Sequence, residues 1–200
     1  MAKRKIKTNA YIDKSLDFIC EAGMLKQVRR SGWSVLGIRD AESVADHSFR
    51  CVVIGYILAH MEKASPHKVM LMTLFNDIQE ARITDLHKMA QRYIDGEMTE
   101  DKAFYEQIKY LPEGIKKELA NASREYRAQK TKESIIARDA DILECLIQAK
   151  EYYTHGHNEA TKIMKKAPAF LRKKSALSLW KLAKGKDINN WWFKLSGFKR

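Results

Sequence analysis

The sequence predicts an all-helical fold. Three prolines and nine glycines in 200 residues leave few chain breakers, and most long stretches between them repeat apolar residues at i, i+3 and i+4, the period of a helix with a buried face. Period-two alternation, the mark of a half-buried strand, is scarce. Hydrophobic residues make up 45% of the chain, which suits one domain with a substantial core. No internal repeat, low-complexity stretch or domain boundary is evident, so residues 1–200 are expected to form a single domain.

The elements follow in order. A first helix is expected from about Tyr11 to Ala22, with Gly23 as its stop signal. Val28 to Asp40 is irregular and expected to be a loop. Ser43 with Asp46 three residues later resembles a capping box, opening a helix that runs to about Met61. Val52, Val53, Ile54, Ile57 and Leu58 make that helix apolar on most sides, hence central and buried. Pro66 precedes an apolar stretch, Val69 to Phe75, that leads into Asn76, Asp77 and Glu80 on the same helix. A polar helical stretch follows near 99–110, and Pro112 suits the first turn of a helix reaching about Gln129. Ile135 to Tyr153 is apolar and helical, and His155-Gly156-His157 ends it.

Charge is unevenly placed. Of the 37 Lys and Arg, twelve fall in residues 161–200 against one acid, Asp187; that segment is +11, leaving 25 basic and 24 acidic residues elsewhere. The basicity therefore reads as a C-terminal appendage to a nearly neutral body. Such a field attracts phosphorylated substrates, nucleic acid or acidic partners without choosing among them. Phe170, Leu177 and Trp180 are expected to form the buried stripe of a last helix. The Trp191-Trp192-Phe193 cluster is expected to dock onto the body or a subunit interface, although with Phe198 it could also stack on single-stranded bases. Cys20, Cys51 and Cys145 are odd in number and scattered, so they read as small buried hydrophobes in a reducing compartment. There is no apolar run of about 18 residues for a membrane span. The basic start has only Ile6 as a large apolar residue before Tyr11, so no signal peptide is expected, and the location should be cytoplasmic.

Chemistry-bearing residues sit inside oily segments. Asp77 and Glu80 are three apart and Asn76 and Glu80 four apart, so on a helix all three project to roughly one side. A carboxylate there costs several kcal/mol if unpaired; Arg82 or Arg138 could neutralise it, or a cation could. His47 falls just after the Ser43 cap, where the helix N-terminus disfavours imidazolium and keeps the ring neutral, as a metal ligand requires. Asp141 lies among Ala140, Ile142 and Leu143, with Arg138 as an alternative partner one turn earlier. Together these residues suit a divalent ion that polarises a phosphate and makes hydroxide available near neutral pH, with Glu80 placed to orient or deprotonate the water. No glycine-rich phosphate loop, G-x-S-x-G turn or clustered cysteine ligands are present, which leaves metal-assisted hydrolysis as the available chemistry. His155 and His157 could form a surface metal site or simply a solvated turn, and no partner for His60, His67 or His87 is evident.

The stretches SGWSVLGIRDAESVADHSFR (31–50), LFNDIQEARITDL (74–86), LPEGIKKELANASREY (111–126) and ARDADILECLIQAKEY (137–152) resemble the HD-domain 5′-deoxynucleotidases, the YfbR-type nucleoside 5′-monophosphate phosphohydrolases and their relatives. The resemblance covers most of residues 10–155. It implies an HD-domain helical bundle, a homodimer, and a divalent ion (Co, Mn, Mg, Ni or Zn) held by His47, position 76, Asp77 and Asp141; Asp141 is favoured over Asp139 because it directly precedes the apolar run. It places the catalytic carboxylate on Glu80, a sugar contact on Asp85 and an aromatic beside the nucleotide on Trp33. Gly32 stands where the phosphate-holding arginine usually precedes the tryptophan, so Arg30 is the stand-in. At position 76 the family's His is replaced by Asn76, whose amide oxygen is a poorer donor toward transition metals and suits harder ions. The expected function is removal of the 5′-phosphate from (deoxy)nucleoside monophosphates with impaired metal affinity. The alternative is a catalytically weak protein that binds nucleotide or nucleic acid through its basic C-terminal segment.

Overall fold

The Ser43 capping box forms and sets the register of the central helix. Ser43 Oγ accepts from the Asp46 backbone N–H at 3.1 Å, and the Asp46 carboxylate accepts from the Ser43 backbone N–H at 2.9 Å. In the computed structural model, which describes residues 2–195 with side chains from residue 11 onward, eleven α-helices follow one another: α1 (Ala2–Ala22), α2 (Ser31–Ser34), α3 (Val44–Met61), α4 (Pro66–Phe75), α5 (Glu80–Ile83), α6 (Gly96–Ile108), α7 (Glu113–Ala128), α8 (Lys132–Thr154), α9 (Thr161–Lys166), α10 (Lys174–Gly185) and α11 (Asn190–Leu195). Short 3-10 turns join several of them. Among the described residues the only β pairing is an isolated antiparallel bridge between Arg29 and Ser43. The all-helical reading holds.

Differences from the expected elements have local causes. The first helix begins at Ala2, and after Ala22 the chain tightens into a 3-10 turn, Gly23–Lys26, instead of stopping at Gly23. The expected loop contains α2 and turns back at Gly37, whose φ of 77° only glycine adopts without cost. Pro112 is the N-cap of α7 and not its first residue. α8 starts earlier than its apolar pattern because Thr131 caps it reciprocally with Ser134.

Helix α8 is the hub, packing on α3, α4, α7, α9 and α10 through Ile136, Leu143 and Leu146, all fully buried. α3 approaches α4 and α8 closely at Gly55: a Cβ there would lie 2.9 Å from Val69 Cγ1 and 3.6 Å from Ala140 Cβ. A second core cluster gathers Leu25, Val44, Ile78, Phe104, Ile108 and Leu119 beneath α6 and α7.

Residues 161–185 are not an appendage. Met164, Leu171, Ala176 and Trp180 are buried in the main core, and the fully buried Asp139 accepts the backbone N–H groups of Arg172 (3.0 Å) and Lys173 (2.6 Å) where α10 begins. The expected stripe is two-thirds right: Trp180 is buried and Leu177 packs against the core, but Phe170 precedes the helix and is 67% exposed. Trp191, Trp192 and Phe193 are exposed and do not dock onto the body; Phe198 lies outside the described residues. Cys51 is buried and Cys145 half-buried, but Cys20 is exposed, contrary to the expectation. No helix among the described residues is long and apolar enough to cross a membrane.

The α3–α4 contact makes Gly55 a sensitive position. Gly55→Val is expected to lower unfolding stability by about 1–3 kcal/mol through overpacking, read as a lower urea midpoint at unchanged slope.

Candidate active site

Three helices deliver one cluster. α3 places His47 one turn beyond its cap, the link between α4 and α5 places Asp77, and α8 places Asp141. His47 Nε2 lies 3.1 Å from Asp141 Oδ1 and 3.8 Å from Asp77 Oδ2. The chain does not stay in α4 here: Asn76 to Gln79 tighten into turns with i−3 hydrogen bonds, Glu80 N–H to Asp77 C=O at 3.0 Å and Arg82 N–H to Gln79 C=O at 2.9 Å, and α5 starts only at Glu80. Thr84, a β-branched residue at φ 62°, closes α5 in a strained conformation immediately before Asp85.

These groups open into a cleft of about 620 Å³. Arg30, Trp33, Asn76, Asp77, Glu80 and Asp85 line it, as does Asp141. Every candidate site residue thus meets at one place, with His47 beneath Asp141. Asp85 accepts from the Ser31 backbone N–H at 2.9 Å and lies 3.7 Å from Arg30 Nε. Trp33 donates to Glu42 Oε1 at 2.9 Å and packs edge-on against Tyr152. Asn76 Nδ2 donates to Asp77 Oδ1 at 2.6 Å. Neither expected arginine neutralises Asp77. Arg82 is drawn away to Glu21 and Arg138 bonds Asp141 at 3.0 Å, while Arg30 comes to 3.9 Å from Asp77.

Sequence reasoning missed Glu144 and Arg50. Glu144 is fully buried and lies 2.5 Å from His47 Nδ1; its other oxygen accepts from Arg50 Nε at 2.9 Å and a second guanidinium nitrogen at 2.8 Å. A carboxylate on Nδ1 fixes that nitrogen as the proton donor and leaves Nε2 to face Asp77 and Asp141. The available signal was an acid one turn after Asp141 inside the apolar run Ile142-Leu143 to Leu146-Ile147.

Burial and neighbouring charge oppose one another at each of these groups. For His47, burial opposes protonation, but Cys51 and the carboxylates of Asp141 and Glu144 outweigh it and raise the imidazole well above its ordinary value. These neighbours act against the helix start, and a cation would compete with a proton for Nε2. Burial raises Asp77 against the pull of Arg30 and His47. Burial also opposes ionisation of Asp141, yet His47, Arg138 and Arg30 hold it below the usual carboxylate range. Glu80 is pushed up to about 10 by burial and by the neighbouring charges of Asp77 and Asp85, and its Oε2 is buried with no hydrogen-bond partner. An imidazole nitrogen facing two aspartates, in a cleft that a partnerless acid also lines, fits a divalent cation. His155 and His157 belong to no such cluster among the described residues; the His157 ring packs edge-on against Tyr152.

Two stability predictions follow from this burial. Glu144→Ala leaves His47 and Arg50 without their buried partner and should cost about 3–5 kcal/mol in chemical denaturation. In chelator-treated protein, Glu80 keeps its proton when folded up to about pH 10 but loses it near 4.5 when unfolded. The unfolded state thus binds fewer protons between those values, and stability falls as pH rises. Glu80→Gln should flatten that slope and be more stable than wild type at pH 8; equal stability and equal slope would contradict the burial of an ionisable Glu80.

A family model described as HD domain matches residues 22–178. The 5′-deoxynucleotidase HDDC2 of Danio rerio is 29% identical over 142 residues, 70% of each chain. That of Dictyostelium discoideum is 29% identical over 157 residues, 74% of this chain and 82% of its own. Among solved structures, a conserved hypothetical protein from Pyrococcus furiosus superposes with a TM-score of 0.70 at 28% identity, covering 85% of this chain and 97% of its own. With its helical fold and a family match over residues 22–178, this chain belongs to the HD-domain family.

Proposed function

We propose that this chain is a metal-dependent phosphohydrolase of the 5′-deoxynucleotidase type, removing the 5′-phosphate of (deoxy)nucleoside monophosphates. The observation that carries the reading is His47, locked through Nδ1 onto Glu144 with Nε2 turned to Asp77 and Asp141, at the base of a cleft that also holds an unpartnered Glu80. The 5′-deoxynucleotidase relatives support the substrate class.

In this reading His47, Asp77 and Asp141 hold the ion, which when bound polarises the phosphate and makes hydroxide available near neutral pH. Arg30 reaches across the cleft toward Asp77 and Asp85 and is placed to pair with a phosphate oxygen. Glu80 orients the attacking water and takes its proton once positive charge beside it restores its ionised form. Asp85 faces the sugar and Trp33 walls the nucleoside end. Asn76 steadies Asp77 through its amide nitrogen, which has no lone pair to give, so it lowers metal affinity relative to an imidazole.

Finer features complete the reading. A single domain spans the chain, and its three free cysteines suit the reducing cytoplasm. Phe49, Val53, Tyr56, Ile57 and Met61 form an exposed apolar stripe along α3, spaced for a helix-to-helix homodimer contact. The exposed Trp191, Trp192 and Phe193 keep nucleic-acid binding as the second reading.

Phosphate release should be measured over a panel of nucleotides with Co²⁺ or Mn²⁺. Wild type is expected to exceed Glu80→Ala by about 10²–10⁴-fold, and Asn76→His to bind the ion more tightly. If neither wild type nor Asn76→His exceeds Glu80→Ala, the hydrolase reading is lost.

A further inference from the structure

We infer that Cys145 is a protein ligand of the same ion, a thiolate donor that makes good the missing imidazole at position 76. This rests on the metal-dependent reading above and concerns which atoms complete the coordination.

Asp141 and Cys145 are four residues apart on α8, so they project from one face a turn apart. Donor atoms of His47, Asp141 and Cys145 all lie within 4.8 Å of one another. Donors about 2.0–2.3 Å from a metal stand at most roughly 4.5 Å apart, so a bound ion would draw these three slightly closer together. Cys145 lines the same cleft as Asp77 and Asn76. Glu80, 8% exposed, lines it too, and its Oε2 has no hydrogen-bond partner among the described residues, a place that a bound cation would satisfy. Arg30 approaches Cys145 Sγ at 3.5 Å, so a thiolate there has a fixed cationic partner beyond the ion.

Cys51 is the competing sulfur, 3.4 Å from His47 Nε2. Its cluster needs Glu144, whose two oxygens are already taken by His47 and Arg50, and Cys51 does not line the cleft. On binding, Cys145 releases its proton to solvent and brings one negative charge that a neutral imidazole would not. The donor is also soft. Asn76 alone points to harder ions, whereas a thiolate turns the preference toward Zn²⁺ and Co²⁺ over Mg²⁺.

Cobalt absorption tests this without reference to turnover. Reduced protein titrated with Co²⁺ under nitrogen should show visible d–d bands and a near-ultraviolet thiolate-to-cobalt charge-transfer band. Cys145→Ser, nearly isosteric, should keep the visible bands, lose the near-ultraviolet band and bind Co²⁺ about tenfold or more weakly, while Cys51→Ser keeps both. Visible bands without charge transfer in wild type overturn the role of Cys145 and leave the hydrolase reading standing. Loss of the band in Cys51→Ser alone overturns the choice of sulfur. If Co²⁺ gives no visible absorption in wild type, the metal reading fails and the inference with it.

Discussion

Glu144 is a carboxylate with no access to water at the centre of a helical bundle, and the arrangement around it organises the rest of the site. An ion so placed costs several kcal/mol unless its lone pairs are met. Arg50 supplies two donors to one oxygen, and His47 lies against the other. Because His47 and Arg50 both sit on α3 and Glu144 on α8, this triad also pins together two helices that pack against each other in the core. His47 cannot then rotate, and its remaining nitrogen is turned toward Asp77 and Asp141. The ordering of a buried charge and the aiming of a ligand are one event.

Helix α8 divides its acids between folding and the cleft. Asp139 and Asp141 are two residues apart, hence on nearly opposite faces. Asp139 accepts the backbone N–H groups of Arg172 and Lys173 and fastens α10 to the body. Asp141 faces His47 and Arg138. Through the first contact, a segment rich in lysine becomes part of the core, and Ile163, Ala167 and Phe170 come to border the cleft. The compensation on the cleft side is incomplete. Arg138 meets Asp141 directly, but Arg30 stands 3.9 Å from Asp77 and nothing meets Glu80 Oε2. A wall that holds an acid without a partner beside two aspartates and an imidazole is a place where a cation would complete the compensation.

Much of this was legible in the sequence where the signal was local. The Ser43–Asp46 box gave the start of α3 to the residue, and acids set in apolar runs singled out Asp77, Glu80 and Asp141 as positions that required partners. The partners were harder to see because they come from far along the chain. Arg50 and Glu144 are 94 residues apart, and each alone reads as a charge on a helix face. Arg30 reaches Asp77 only because the Arg29–Ser43 bridge folds the segment before α3 back over the cleft. Local elements were missed where the polar pattern hid them. Residues 2–10 carry almost no apolar periodicity, and Thr131 caps α8 with Ser134 in place of an acid. Trp191 to Phe193 were expected to find cover because large aromatics are costly in water, and among the described residues they stay exposed.

The central claim is that His47, Asp77 and Asp141 share one divalent ion. Its most direct test is a crystal of the protein grown with Mn²⁺, with anomalous difference density measured at the manganese signal. The account predicts a single strong peak bounded by His47 Nε2 and the carboxylates of Asp77 and Asp141. A protein saturated with Mn²⁺ that shows no peak there, or only peaks elsewhere on its surface, would contradict it.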